Sequence, residues 1–277
     1  MAVNRQDFDR AVAAYWAIKK SQGESSTLNG KVGAGTAGNV RGGAHFDPIA
    51  NLLSQFFLDA GYPASSIRVT VGDHLELPGY YRPQKRWDVV VSYEDTLVAA
   101  FELKGLGSPS FSNNYNNRVE EALGSAVDVR RARLAKFFPG ERPWLGYLFI
   151  MEDAPKSQAP VDIAQGTAFP VEDIWLADCC LAAGGKPCGL PKKKTLHGKS
   201  YQERYAIFCE RLVEKEMYDA VCYITSSPEA PTAKEPSSQL DWAHFSAAIV
   251  GRITYLKELG MPKPQSQSQE TLFPELA

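Results

Sequence analysis

Between Arg86 and Lys104 the chain reads R-W-D-V-V-V-S-Y-E-D-T-L-V-A-A-F-E-L-K. Two runs rich in β-branched and aromatic residues, 87–93 and 97–101, flank the polar turn 94–96, a pattern that predicts a β-hairpin. Asp88 opens the first strand, and Glu102 and Lys104 close the second. Folding the hairpin therefore sets Asp88 beside Glu102. Residues two apart on a strand share a face, so Glu102 and Lys104 project the same way. Two carboxylates and the backbone carbonyl of Leu103 make part of an oxygen shell for Mg2+, which takes one or two carboxylates and fills its octahedron with water and phosphate oxygens. Such an ion lowers the pKa of a bound water and stabilises charge on a phosphodiester under attack. Lys104 is placed to orient that water, or to accept its proton if desolvation depresses the lysine pKa. The competing reading is a charged strand end that meets solvent. An E-x-K tripeptide alone carries little weight; an Asp facing it across a hairpin carries more.

The surrounding stretches L-P-G-Y-Y-R-P-Q-K-R-W-D (77–88), L-V-A-A-F-E-L-K (97–104) and P-S-F-S-N-N-Y-N-N-R-V-E-E-A-L-G-S-A (109–126) resemble the XhoI-like type II restriction endonucleases, members of the PD-(D/E)XK nuclease superfamily. The resemblance is dense over 72–128 and recurs at 144–161 and 200–212. It implies a Mg2+-dependent homodimer that cuts both strands of a short palindrome, C-T-C-G-A-G in the founding members, leaving 5′-phosphate and 3′-hydroxyl ends. Asp88, Glu102 and Lys104 fall on the superfamily's catalytic positions. The chain departs from the pattern at Gly105, where a Ser is expected, over 106–112, and in a Cys- and Lys-containing stretch of about 173–198 that reads as an insertion. These departures leave the three catalytic positions intact, but they bear on which bases are read and on tolerance of methylation.

Residues that could hold DNA cluster on both sides of the hairpin. Arg82, Lys85 and Arg86 sit beside Tyr80 and Tyr81 in a predicted loop, 78–86, a composition suited to clamping phosphate; a solvated turn is the alternative. After Lys104 come Ser110, a candidate phosphate contact, and the run Asn113, Asn114, Asn116, Asn117 and Arg118. Asn pairs bidentately with adenine and Arg with guanine in the major groove. Asn is also a common turn and cap residue, so about half of the run is expected to be structural. Upstream, the glycine-rich stretch 21–43 is either a mobile arm whose Lys31 and Arg41 touch phosphate or a disordered linker. Its G-A-G-T-A-G lacks the preceding strand and following helix of a dinucleotide site. Asp47-Pro48 predicts a helix start with Asp47 as N-cap; the other role for Asp47 is an extra acid at the metal site. His45 is a candidate DNA contact.

The elements that must position these groups follow from periodicity. Helices are predicted near 5–20, from 47 to a stop at Gly61, over 117–137 and 171–183, from a capping box at Ser200 and Glu203 through 217, and from 242 to a stop at Gly260. Strands are predicted at 67–71, 87–93, 97–101, 144–151 and 219–225. The order gives an α/β fold, a restriction-endonuclease-like mixed central sheet flanked by helices. Three segments are expected: 1–43, an N-terminal helix and flexible arm; 44–260, the nuclease domain; and 261–277, a disordered or loosely docked tail. That tail contains Q-E-T-L-F (269–273), similar to peptides that bind the bacterial sliding clamp.

The 277 residues, with 44% hydrophobic and 22% charged content, are ordinary for a soluble globular protein. A net charge of −2 means that any DNA-binding surface must concentrate its positive charge on one face. Five cysteines at irregular spacing do not form a disulfide framework and suggest reduced thiols in a cytoplasmic protein. Cys179, Cys180, Cys188 and His197 lack zinc-site spacing and are expected as buried free thiols beside an unrelated His. The N-terminus has no apolar signal core, and no run is long enough to span a membrane. The rival functions are a structure-selective repair or recombination nuclease on the same core, a DNA-binding protein without catalysis, and an α/β protein with no DNA role.

Overall fold

The β-branched and aromatic runs assemble into one mixed sheet. The computed structural model describes residues 3–28, 44–69, 75–109, 111–164, 169–186 and 195–262. In chain order the elements are α1 (Arg5–Leu28), α2 (Asp47–Asp59), β1 (Ile67–Arg68), β2 (Glu76–Pro78), β3 (Gln84–Arg86), β4 (Val89–Tyr93), β5 (Thr96–Leu106), α3 (Phe111–Leu134), β6 (Leu145–Glu152), α4 (Pro155–Gln158), β7 (Pro160–Ala164), α5 (Asp178–Ala182), β8 (Thr195–Ser200), α6 (Tyr201–Glu214), β9 (Ala220–Ser226) and α7 (Trp242–Glu258). The central sheet has the order β1-β4-β5-β6-β9. Its β1/β4 and β4/β5 pairs are antiparallel; β5/β6 and β6/β9 are parallel. This is the expected α/β architecture.

Helices on both faces explain the unbroken apolar sequence of β6, whose side chains are buried in both directions. On one face α1, α2 and α7 bring Phe8, Phe57, Phe245 and Ile249 against Val89, Phe101 and Leu148. On the other, α3 and α6 cover Tyr147, Phe149 and Tyr223. Phe149 and Tyr205 stack with centroids 3.7 Å apart, and the Tyr147 and Tyr205 hydroxyls hydrogen-bond at 2.6 Å, so each buried phenol has a polar partner. The first helix is tied in as firmly as the others: Phe8, Val12, Tyr15 and Trp16 are buried, and the Trp16 indole N–H donates to Ser226 Oγ at 2.7 Å.

The β4/β5 hairpin turns where the sequence predicts, with Glu94 at a φ of 49°. Its ladder contains a register shift. Val91 pairs with Ala99 but Ser92 with Leu97, which leaves Val98 as an extra residue on β5. Val98 and Ala99 consequently face the same core, and alternation resumes beyond them.

Several expectations are corrected. The α3 helix begins at Phe111, six residues before the expected start, because Phe111, Tyr115 and Val119 already follow helical spacing and pack toward Tyr201 and Tyr205. The predicted loop 78–86 is mostly a second hairpin, β2/β3. Between the predicted strand 144–151 and the predicted helix 171–183, where no element is expected, the chain forms α4 and β7, and β7 pairs with β8. The expected helix over 171–183 is a 3-10 turn followed by the short α5. Asp47 does not cap α2. A 3-10 turn, Ala44–Phe46, runs straight into the helix, so Asp47 already has helical backbone and makes no cap bond. The Ser200/Glu203 capping box forms as predicted. Cys180 is buried, as expected, and its Sγ accepts the His197 N–H at 3.3 Å, but Cys179 is exposed and disulfide-bonded. Cys188, Lys31 and the tail peptide 269–273 lie outside the described residues. No described helix is long and apolar enough to cross a membrane.

Candidate active site

Asp88 stands just before β4, while Glu102 and Lys104 lie on β5. Val89 pairs with Phe101, and the Asp88 N–H donates to the Phe101 carbonyl at 3.1 Å. The acid preceding β4 thus comes level with the acid following Phe101. Lys104 Nζ lies 2.6 Å from Glu102 Oε1 and 3.3 Å from Asp88 Oδ2. One ammonium cannot touch oxygens that are far apart, so the two carboxylates are within reach of a single cation. Asp88 Oδ2 also accepts the Leu103 N–H at 2.8 Å, which fixes its orientation.

The two acids sit in different environments. The Glu102 side chain is 4% exposed, against 38% for Asp88. Burial alone would lift the Glu102 pKa, but Lys104 and Lys85 outweigh it and hold the carboxyl below its ordinary value. For Asp88 burial prevails over the pull of Lys104, and the pKa is raised. Burial would lower the pKa of Lys104, but Glu102 and Asp88 raise it further. Lys104 is therefore a firmly held ammonium. In the metal-free protein the ammonium is a hydrogen-bond donor, whereas proton acceptance calls for a pKa moved in the other direction.

A cleft of about 350 Å3 opens over Glu102 and is lined by Arg82, Lys85, Lys104 and Arg118 together with the acids Glu120 and Glu121. Of the expected DNA contacts, the fold brings Arg82, Lys85 and Arg118 here. Lys85 reaches deepest and ion-pairs with Glu102 Oε2. Arg86 instead pairs with Glu76 across β2/β3 at 3.5 Å. Successive helical residues point about 100° apart, so Asn114, Asn116 and Asn117 are spread over about 160° of the α3 circumference, wider than a single stripe. Asn116 lines a different, largely apolar groove with Trp175 and Phe208; Asn114 and Asn117 lie on the same first turns of α3. Ser110, Arg41 and the Asn113 side chain lie outside what the structure describes. His45 packs against Tyr15 and Phe46, with centroids at 5.1 and 4.8 Å. Burial, aided by Lys19, pushes its pKa down to about 4. Among the described residues no three His, Cys, Asp or Glu side chains converge, so neither His45 nor Asp47 joins the acid pair. Two carboxylates alone suit a hard ion that keeps its waters, as Mg2+ does, better than zinc, which takes three or four protein ligands.

Comparisons with known proteins identify the family. The family model described as restriction endonuclease XhoI matches residues 25–177. The type II restriction enzyme BstVI of Geobacillus stearothermophilus is 35% identical over 228 residues, covering 79% of this chain and 91% of that enzyme. The chain belongs to the XhoI family of restriction endonucleases. The type II restriction enzyme XhoI of Xanthomonas vasicola is 34% identical over 223 residues, 78% of this chain and 79% of that enzyme. AbrI of Azospirillum brasilense is 36% identical over 162 residues, 57% and 72% respectively. No solved structure matches. The protein is accordingly a type II site-specific deoxyribonuclease, and its substrate is double-stranded DNA.

Within this restriction endonuclease, two residues act on the site without having been singled out in the sequence. Asp128 reaches from α3 to the tip of β2/β3. It accepts the Tyr80 and Tyr81 N–H groups at 2.6 and 2.9 Å and pairs with Arg82 Nε at 2.6 Å. A Cβ on Gly79 would lie 2.5 Å from its Oδ2, so only glycine fits there. The clamp holds Tyr80 and Tyr81, 52% and 67% exposed, at the tip of the hairpin that carries Lys85. The second is Tyr15, whose hydroxyl lies 2.7 Å from where a Gly105 Cβ would be. That contact accounts for glycine where relatives are expected to carry Ser. A lone acid in L-G-S-A-V-D-V was the one available signal for Asp128; Tyr15 gave none beyond its apolar stripe.

Proposed function

We propose that this endonuclease cuts both strands of a short palindrome, C-T-C-G-A-G, in a Mg2+-dependent reaction that leaves 5′-phosphate and 3′-hydroxyl ends. The observation that carries the reading is the single ammonium of Lys104 shared by Asp88 and Glu102. A place that binds one cation between two carboxylates is suited to another of higher charge. Asp88, Glu102 and the Leu103 carbonyl would hold the ion, which when bound acidifies a water and neutralises charge on phosphorus. Lys104 orients the attacking water by hydrogen bonding and offsets negative charge as the phosphoryl centre is attacked. Arg82 and Arg118 hold the phosphodiester in the cleft. A palindromic site is matched by a two-fold symmetric pair of chains, so the active form is a homodimer.

Digestion of a plasmid with one C-T-C-G-A-G site, followed by sequencing of the ends, tests this reading. One linear product that disappears on adding EDTA, and in Asp88→Ala and Glu102→Ala, is expected. Cleavage at other sequences would overturn the specificity. Preference for branched over linear duplex would point to a repair nuclease on the same core.

A further inference from the structure

Glu102 has two ammonium partners, one on each carboxylate oxygen. Lys104 occupies Oε1 and Lys85 occupies Oε2. The two lysines are anchored differently. Lys104 is held by both acids, whereas among the described residues Lys85 has only Glu102 as a carboxylate partner, besides the Arg86 carbonyl at 2.9 Å and the face of Trp87 at 4.4 Å. Lys85 also arrives from β2/β3, a small sheet separate from the central one, whereas Lys104 is built into β5. Any divalent ion ligated by Glu102 must take an oxygen from one of these ammonium groups, and the less firmly tied group is Lys85.

We infer that Lys85 is a tethered counter-ion, which fills part of the divalent-cation place in the DNA-free enzyme and moves onto the substrate phosphate when ion and DNA enter together. This inference rests on the cation reading of the Asp88–Glu102 pair. The physical reason is the buried charge on Glu102: without compensation a carboxylate 4% exposed is costly to keep ionised. Lys85 supplies that compensation while the cleft is empty. The phosphodiester then offers Lys85 a replacement anion, so cation binding and DNA binding assist one another. A DNA-free enzyme is thereby kept from holding the ion that arms it. Lys85 at 12% exposure has little solvent to retreat into without such a partner.

The test is Mn2+ titration of the full-length, DNA-free protein, followed by the loss of the free-ion paramagnetic resonance signal. Lys85→Gln vacates Oε2 and should bind Mn2+ about tenfold more tightly than wild type, as expected when a competing ion is removed from a low-dielectric site. Arg82→Gln removes the same charge from the same cleft without vacating Glu102 and should change affinity by less than about threefold, the effect of a partly screened charge. Lys85→Arg keeps both fold and charge and should bind Mn2+ no more tightly than wild type. Equal tightening by Lys85→Gln and Arg82→Gln would overturn the inference, as would tightening by Lys85→Arg. Glu102→Gln separates the two levels. If it abolishes Mn2+ binding while Lys85→Gln leaves affinity unchanged, the counter-ion role fails and the cation site stands; if Glu102→Gln binds as wild type, both fail.

Discussion

Glu102→Gln and Asp88→Asn each remove one negative charge from the same site, and the structure gives them opposite effects on the stability of the metal-free protein. Glu102 is sealed at 4% exposure between Lys104 and Lys85, themselves 21% and 12% exposed. A glutamine carbonyl can accept from one ammonium, but its amino group then faces the other. Lys104 keeps Asp88 as a partner, so the loss should lie near the low end of the ~3–5 kcal/mol seen on breaking a buried ion pair, about 3 kcal/mol. Asp88 behaves differently because its pKa is raised, mainly by burial. A carboxyl whose folded pKa exceeds its unfolded one binds more protons when folded. Its ionisation therefore costs stability as pH rises through that window, and the cost persists at neutral pH. Asparagine removes the cost and can still accept the Leu103 N–H. The gain should be under about 1 kcal/mol, because a carboxylate 38% exposed is partly screened. Urea unfolding at neutral pH in EDTA reads both variants, provided the slopes agree with wild type. If both variants shift the midpoint in the same direction, or if Glu102→Gln lies within about 0.5 kcal/mol of wild type, the assignment of Glu102 as the charge-compensated acid is wrong.

Three further outcomes follow from the same geometry. Asp128→Ala should cost about 2–3 kcal/mol, since it strips a carboxylate from two backbone N–H groups and an arginine, and amide exchange at Tyr80 and Tyr81 should accelerate; wild-type exchange there would exclude the clamp. The Asp128 pKa is lowered because Tyr81, Arg82 and Tyr80 outweigh burial, so its contribution is complete above the ordinary carboxylate range and lost as pH falls below it. An acid-unfolding profile steeper in wild type than in Asp128→Asn checks the sign. Binding of Mn2+ by the DNA-free protein should require ionised Asp88 and so tighten as pH rises through a value above the ordinary Asp pKa; an affinity that is flat in this region would contradict it. Gly105→Ser should destabilise by about 1–3 kcal/mol through overlap with Tyr15, and Tyr15→Phe should recover part of the loss in a thermal-melt cycle.

The sequence made the site legible because its two acids and lysine sit on adjacent strands joined by a short turn. Strand alternation alone then predicts their convergence, and the apolar runs on either side predict the sheet. The asparagine run was misread because Asn suits turns, whereas Phe111, Tyr115 and Val119 had already committed the backbone to a helix. The β2/β3 hairpin was invisible because three-residue strands carry no alternation to detect. Asp128, Tyr15 and the second partner of Glu102 depend on contacts between elements distant in the chain, and no local pattern records them.

The extra residue in the β4/β5 ladder bears on how such genes can change length. Counted strictly from Leu97, Glu102 would point into the core formed with α1, α2 and α7; the unpaired Val98 turns it back toward Asp88. Loss of the codon for Val98 would straighten the ladder and leave the acids facing each other. Loss of one valine codon from 89–91 on β4, a strand with no extra residue to give up, would instead invert the side chains before it and turn Asp88 away from Glu102. Two deletions of equal size, neighbours in the gene and both silent as to functional groups, thus have opposite fates.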